Sequence, residues 1–413
     1  MTTWKTEKLS NLLAVSIGGI WGEEAGVAEI DVSVVRVTEL KAHGQIDPSS
    51  AVTRSVTLKQ LASRELQEGD LLLEKSGGGP NSPVGRVGYF FQEGTRTVCS
   101  NFMQLMRPDS TKVLPKYLFY YLDGFHSNGG TIPMQTATTN IRNIKTPQYM
   151  DIDVPVPSID EQHKIVELLE DHLSRLDAAL TDVKLAKLKA VQFRRSLLQA
   201  SFIGYLSDES FTIGSEIPPS WRKISLGNVL VPRKQKDIPS TFPTLPYIGM
   251  EHVARDVGLI NSFGSSADYR SAAPRVYEGD VLYGRLRPYL NKVAISPCEA
   301  FASGEFIVLP PNEEIIGKFL QLRLLSQDFV EFAGTLDTGD RPRVSWEQIS
   351  RFELALPPVD EQMKMISSLE EHLSRLDASV ALAVTMEKQS NALRRSLSQA
   401  AFTGQLTKEV VSV

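Results

Sequence analysis

One stretch of this chain occurs twice, and nothing else in the sequence constrains the fold as strongly. The first copy opens Asp160-Glu161-Gln162 and passes through Glu170-Asp171-His172-Leu173-Ser174-Arg175-Leu176-Asp177-Ala178. It closes with Arg194-Arg195-Ser196-Leu197 and Phe202-Ile203-Gly204-Tyr205-Leu206. Two hundred positions later come Asp360-Glu361-Gln362, Glu370-Glu371-His372-Leu373-Ser374-Arg375-Leu376-Asp377-Ala378, Arg394-Arg395-Ser396-Leu397 and Phe402-Thr403-Gly404-Gln405-Leu406. The copies align without a gap. The period is too long and the copy number too low for a solenoid. It reads as a duplicated module made of a domain and the helix that follows it.

Both copies carry a helical seam. Apolar residues recur at Ile165, Leu169, Leu173, Leu176, Leu180 and Val183, and again at Ile366, Leu369, Leu373, Leu376, Val380 and Ala383. Alternating steps of three and four are the spacing of a coiled coil. Ser158 lies three residues before Glu161, a capping-box signature. Acidic residues crowd the start of the first helix and basic ones its end, which complements the helix dipole. Two helices of about 40 residues would each extend about 60 Å at 1.5 Å per residue. The simplest packing is antiparallel, with one domain leading into each helix about a pseudo-two-fold axis.

The expected architecture is therefore α+β: two mixed α/β domains, 1–157 and 208–357, joined by a long helix at 158–207 and a second long helix with the C-terminal tail at 358–413. In the first domain, strands are expected at Val32–Val37, at Leu71-Leu72-Leu73 after the turn Glu68-Gly69-Asp70, and at Arg86–Phe91. Pro115–Asp123 suits a short buried helix and Asp151–Pro155 an edge strand. The second domain echoes the first: Trp221-Arg222-Lys223 answers Trp4-Lys5, and Glu278-Gly279-Asp280-Val281-Leu282 answers Glu68-Gly69-Asp70-Leu71-Leu72.

Catalytic signatures are missing. There is no Gly-x4-Gly-Lys-Ser/Thr loop, and no Asn/Asp-Pro-Pro-aromatic motif of an adenine methyltransferase. Ile17-Gly18-Gly19-Ile20-Trp21-Gly22 is only loosely like a cofactor loop. Asp31 with Glu39-Leu40-Lys41 matches a metal-nuclease pattern on paper, a match that arises by chance in most chains. His172 and His372 have no second ligand one turn away, so no metal site is expected. The start of the chain lacks a signal-peptide core, no apolar run approaches a membrane span, and Cys99 and Cys298 fit free thiols of a reducing cytoplasm.

What remains is basic and polar loop chemistry. Arg285, Arg287, Tyr289, Asn291 and Lys292 fall within ten residues of the second domain, and Arg341 and Arg343 on another loop. Arg233-Lys234-Gln235-Lys236 is a further basic cluster. In the first domain the counterparts are Lys75, Ser76, Asn81 and Arg86, then Thr138, Asn140, Arg142 and Lys145. Arginine forks bind phosphates or guanine edges, and asparagine pairs with adenine. A surface ion pair is the plain alternative for any one of these arginines. The net charge of −5 weighs weakly against nucleic acid, but binding needs only a local basic surface.

The doubled Asp-Glu-Gln helix with its Phe-x-Gly-x-Leu ending resembles the specificity subunit of type I restriction–modification systems. So do Glu74-Lys75-Ser76-Gly77-Gly78-Gly79 and Arg287-Pro288-Tyr289-Leu290-Asn291-Lys292. The resemblance covers nearly the whole chain, although the first domain has no Arg-Pro-Tyr-Leu-Asn-Lys. It implies two target-recognition domains reading different halves of an asymmetric, bipartite double-stranded DNA target, with spacer helices setting the unread gap. It implies partner surfaces at Glu161, Gln162, His172, Arg175, Arg194 and Arg195, and at Glu361, Gln362, His372, Arg375, Arg394 and Arg395. Two methyltransferase subunits would dock there and bring S-adenosylmethionine, and restriction or translocase subunits can join. The chain itself would hold no cofactor and catalyse nothing. A coiled-coil scaffold with ligand-binding end domains is the alternative, disfavoured by basic loops in both domains.

Overall fold

The computed structural model describes residues 4–79, 82–91, 96–138, 141–202, 218–337 and 339–409. The chain divides into two compact units, 1–182 with 385–413, and 183–384. The division cuts through both long helices, Ile159–Phe202 and Val359–Phe402. Each unit thus holds one α/β domain, the start of the helix leaving it, and the end of the other helix.

In the first unit, strand Lys5–Lys8 pairs antiparallel with Asp153–Val156, so the chain start is tied to the residues just before the helix. Leu71–Glu74 is the central strand, flanked antiparallel by Met103–Pro108 and Val87–Tyr89. Leu71, Leu72 and Leu73 are fully buried, which explains an unbroken apolar run where a one-sided strand would alternate. Ile30–Val35 pairs antiparallel with Val52–Val56 and parallel with Thr97–Cys99. The strand expected to reach Val37 stops at Val35, because Val37–Glu39 turns as a short 3-10 helix. The expected short helix is longer, Pro115–Ser127.

The second unit repeats this frame. Arg222–Ser225 pairs with Glu353–Leu356. Val281–Gly284 lies between Val293–Ile295 and Phe306–Leu309, and Pro246–Ile248 runs parallel to Ala300–Ala302. The repeated Glu-Gly-Asp now has a physical cause. Gly69 (φ 88°) and Gly279 (φ 86°) take the left-handed conformation that glycine adopts without strain. Asp70 then accepts from Gln67 N–H at 2.7 Å and from the Arg107 fork. Asp280 accepts from Tyr277 N–H at 2.9 Å and from the Arg233 fork, so Arg233 is a structural residue.

The long helices enter these cores at both ends. Ile165, Val166 and Leu169 share the first core with Tyr117, Leu118, Leu122 and Ala401. Phe402 lies edge-on to Tyr117 and Tyr121, with ring centroids 5.3 and 5.2 Å apart. In the second core Met365, Leu369 and Leu373 join Leu197, Leu198 and Phe202, and Phe202 lies edge-on to Phe319 at 5.4 Å. The phenylalanine of each repeat ending is therefore an anchor. Burying such a ring stabilises by about 1.5–3 kcal/mol. Met365, rather than the expected Ile366, takes the fully buried place, and Ile366 is only partly covered.

The helices pack antiparallel within each unit. In the first, Leu169 shares a core with Ala401 while Asp177, further along, pairs with Arg394. In the second, Arg194 pairs with Asp377 while Leu198 shares a core with Leu369. The two ion pairs are images of each other under the repeat. Arg194 and Arg394, expected on a partner surface, are thereby corrected: each guanidinium is mostly buried and crosses to the opposite helix.

Gln162 and Gln362 need the same correction. Both are fully buried. The Gln162 amide accepts from Leu114 N–H at 2.8 Å and donates to the Pro157 and Lys112 carbonyls at 2.9 and 3.3 Å. Gln362 accepts from Ile316 N–H at 3.0 Å and donates to the Glu314 and Pro357 carbonyls at 2.7 and 2.9 Å. Each locks the start of a long helix to its domain by satisfying backbone groups that burial would otherwise orphan. Ser158 caps the first helix, its Oγ accepting from Glu161 N–H at 3.4 Å.

Candidate nucleic-acid interface

In the second domain two loops are laced together by backbone bonds. Arg287 N–H donates to the Pro342 carbonyl at 2.7 Å and Val344 N–H to the Arg285 carbonyl at 3.0 Å, with a bridge between Leu286 and Arg343. Arg287 itself sits at φ 52°. The lacing gathers Arg285, Arg287, Tyr289, Arg341 and Arg343. Arg287, Tyr289 and Arg341 are exposed. Arg285 is half-buried, and its Nε has no partner among the described residues. Arg343 is half exposed and also reaches Glu305 Oε1 at 2.5 Å.

Asn291 and Lys292 do not join them. Asn291 (φ 47°) turns the chain inward and is buried. Its Nδ2 donates to Asp256 Oδ1 and to the Leu325 carbonyl, both at 3.1 Å. Leu325 ends the helix Gly317–Leu325, whose last carbonyls lack helical partners, so the asparagine amide is needed there. Lys292 Nζ donates to the Met250 carbonyl at 2.5 Å. Both brace the loop from behind.

In the first domain, Ser76–Gly77 pairs with Ile141–Ile144, which pairs with Gln135–Thr138. This edge brings Lys75 and Ser76 beside Arg142 and Lys145, with Ile144 N–H donating to the Lys75 carbonyl at 2.8 Å. Ser76 Oγ hydrogen-bonds Asn143 Oδ1, and Arg142 is half-buried near Gln135. Lys75 and Lys145 form no ion pair among the described residues. Arg86 is corrected: its fork is spent on buried Glu74 at 2.8 and 3.2 Å and on the Leu40 carbonyl. Asn81 and Asn140 lie outside the described residues, as does the side chain of Thr138.

A cleft of about 530 Å³ opens beside this edge. It is lined by Trp21 of the glycine motif, by Ser76, and by Asn101, Phe102 and Ile141, which the sequence did not single out. The paper match for a nuclease site dissolves here. Glu39 is fully buried. Burial alone would raise its pKa, but bonds from the Arg36 side chain and backbone and from Ser50 and Thr38 bring it down to about 2. Asp31 accepts from Gly26 N–H, and Lys41 donates to the Thr38 carbonyl. Among the described residues no three His, Cys, Asp or Glu side chains are grouped to hold a metal ion.

On the long helices His172, Arg175, His372, Arg375 and Arg395 are exposed. Arg175 and Arg375 pair one turn back with Asp171 and Glu371 at 3.0 and 2.7 Å. Arg195 faces Asp256 at 3.6 Å, Glu161 is half-buried, and Glu361 accepts from Trp221 Nε1 at 2.6 Å. The sequence reading passed over Leu188, Phe193, Leu382 and Leu393, which are 64%, 55%, 61% and 51% exposed in this chain. Exposed large apolar side chains on a helix are a partner signature when they cluster. The signal was present as apolar residues off the seam.

Residues 31–190 match the family model described as the type I restriction modification DNA specificity domain. The chain is 24% identical over 327 residues to the type I restriction enzyme EcoDI specificity subunit of Escherichia coli, covering 71% of this chain and 70% of that one. It is 24% identical over 447 aligned positions to the StySPI specificity subunit of Salmonella potsdam, covering 98% and 90%. A solved chain from work on complex assembly and conformational transition of the type I R-M system superposes with a TM-score of 0.75. That match covers 98% of this chain and 99% of that one at 16% identity, and so speaks for the fold. The matched domain, the relatives and the doubled domain-and-helix fold all liken the chain to the DNA specificity subunits of type I restriction–modification systems.

Proposed function

We propose that each α/β domain reads one half of an asymmetric, bipartite duplex target, and that the paired helices set the unread gap between the halves. The observation that carries this is the laced double loop of the second domain. Backbone bonds lace together the two loops on which Arg287, Tyr289 and Arg341 are exposed, while Arg233, Asn291 and Lys292 are consumed by the fold. Fixed guanidinium forks suit phosphates and guanine edges. The first domain presents different chemistry, Lys75 and Lys145 beside an apolar cleft, so the two half-sites should differ. A two-site reader must keep its domains in phase with the duplex, where one turn is about 34–36 Å. Continuous helices of 44 residues, about 66 Å long at 1.5 Å per residue, are stiff enough to set such a distance.

The exposed apolar and charged helix positions support docking of two methyltransferase subunits, which would carry S-adenosylmethionine and extrude the target adenine. Restriction subunits would complete a cleaving complex. This chain would read and assemble, with no cofactor and no bond-making of its own, in the cytoplasm where genomic DNA is reached. No described helix is long and apolar enough to cross a membrane.

Arg287→Ala and Arg341→Ala test the reading. In the assembled complex each should weaken target binding by about 5- to 100-fold if it reads a base edge. If it meets a phosphate, the slope of log affinity against log salt should fall by about one instead. Arg233→Ala should lower stability while sparing both binding signatures. Unchanged affinity and unchanged salt slope in both outward arginine variants would remove this surface from the DNA.

A further inference from the structure

We propose that the cleft of the first domain receives a nucleobase of its half-site, with the ring against Trp21 and Phe102 and the edge toward Asn101 and Ser100. This rests on the reading of the domain as a DNA reader, and deepens it by naming the base-reading centre.

The cleft is built by the glycine motif that resembled a cofactor loop. A Cβ on Gly19 would lie 2.2 Å from the Ser100 carbonyl and 2.3 Å from the Cys99 carbonyl. Only glycine lets these two segments touch. Ile20 N–H then donates to the Cys99 carbonyl at 2.7 Å and Gly19 N–H to the Met103 carbonyl at 3.1 Å. Two segments some 80 positions apart are thereby fastened, and Trp21 and Phe102 come to wall one cleft. Arg54 lies 5.1 Å from the Trp21 ring centroid and donates to the Gly22 carbonyl, which fixes the indole.

The chemistry of the walls selects the occupant. Arg36 is the cation in the lining, and its guanidinium is spent on Glu39 and on the Ser50 carbonyl. An anionic phosphate would find little here. Phe102 and Ile141 are half exposed, as befits surfaces that await a flat apolar face. Ser100 is 1% exposed, lines the cleft, and its Oγ has no hydrogen-bond partner. An orphaned buried hydroxyl is costly unless a ligand completes it. The volume of about 530 Å³ lies in the range of sites that take a whole ring system, mostly apolar with a few polar groups. Gly77 and Ser76 form the lip, so the cleft is continuous with the edge that carries Lys75, Arg142 and Lys145. An uncharged planar ring with a polar edge, delivered by a strand whose phosphates meet those cations, is a DNA base.

The test is an abasic scan of the mapped target with the complex of this chain and its methyltransferase subunits. With the wild-type chain, removing one base of one half-site should weaken binding by about 10-fold or more, the scale of base–aromatic stacking. Trp21→Ala and Phe102→Ala should weaken binding of the intact duplex by a similar factor. Against either variant the same abasic duplex should cost nothing further, while abasic costs in the other half-site stay as in wild type. Non-additivity of this kind is the mark of direct contact. Asn101→Ala, at an exposed turn, should relax preference at the same position and leave stability intact. Abasic costs that add independently to the variants, or variants that bind intact duplex like wild type, would overturn the assignment while leaving the domain a reader. A wild-type complex indifferent to abasic sites in both halves would overturn the reader itself.

Discussion

Four residues inserted in each long helix between the two aspartate–arginine clamps will lengthen the unread DNA by about two base pairs and leave both half-sites unchanged. The insertion points are between Leu185 and Ala186 and between Thr385 and Met386. They lie inside the segments bounded by Asp177 and Arg194 and by Asp377 and Arg394, so both clamps keep their partners. Four residues add about 6 Å at 1.5 Å per residue, and a base pair rises about 3.4 Å. On the original target the two domains could no longer engage together. Losing a tethered second site costs about 100- to 10,000-fold in affinity. The measurement is competition among duplexes whose gap varies one base pair at a time. Preference for the original gap would refute the helices as the ruler. The same insertion in one helix alone should instead break a clamp and lower stability, because it slides Arg394 or Arg194 one turn past its aspartate.

Gln162→Ala and Gln362→Ala should each destabilise their unit by about 3 kcal/mol or more. Each amide is fully buried and satisfies one backbone N–H and two carbonyls. Removing it leaves three backbone groups, one of them buried and two partly buried, without their partner, at about 1–3 kcal/mol for each that stays unpaired. For a unit of this size 1 kcal/mol moves the melting temperature by about 2–4 °C, so a shift on the order of 6–12 °C is expected. The neighbouring Met363→Ala, at an exposed position, should move it by no more than about 2 °C. Thermal melting of the full chain checks both. Glutamine variants that melt with wild type would show that the helix starts are held by something else.

The frame of the molecule was legible because it is periodic or repeated. Seam residues such as Leu169 and Leu369 recur at helical spacing, and the Glu-Gly-Asp turns announce the same corner in both domains. Direction was not legible. Gln162 and Gln362 stand beside exposed charges in an acidic helix start, and only the fold reveals that the amides point inward to Leu114 and Ile316. Arg86 and Arg287 look alike in sequence. One is consumed by Glu74, twelve residues away on a neighbouring strand, and the other is exposed on a loop laced to the Pro342 carbonyl. A basic residue advertises charge, but whether that charge is already spent depends on partners that the local sequence does not show. The Trp21–Phe102 cleft was hidden for a related reason: it exists only because Gly19 permits two distant segments to touch.

The bases modified by the assembled complex report the target directly. Mapping the methylated adenines across a genome that carries this chain and its methyltransferase subunits should give two unlike short sequences separated by a fixed run of unread base pairs. A single uninterrupted sequence, a palindrome with identical halves, or a gap that varies from site to site would contradict two unlike readers held by one stiff pair of helices.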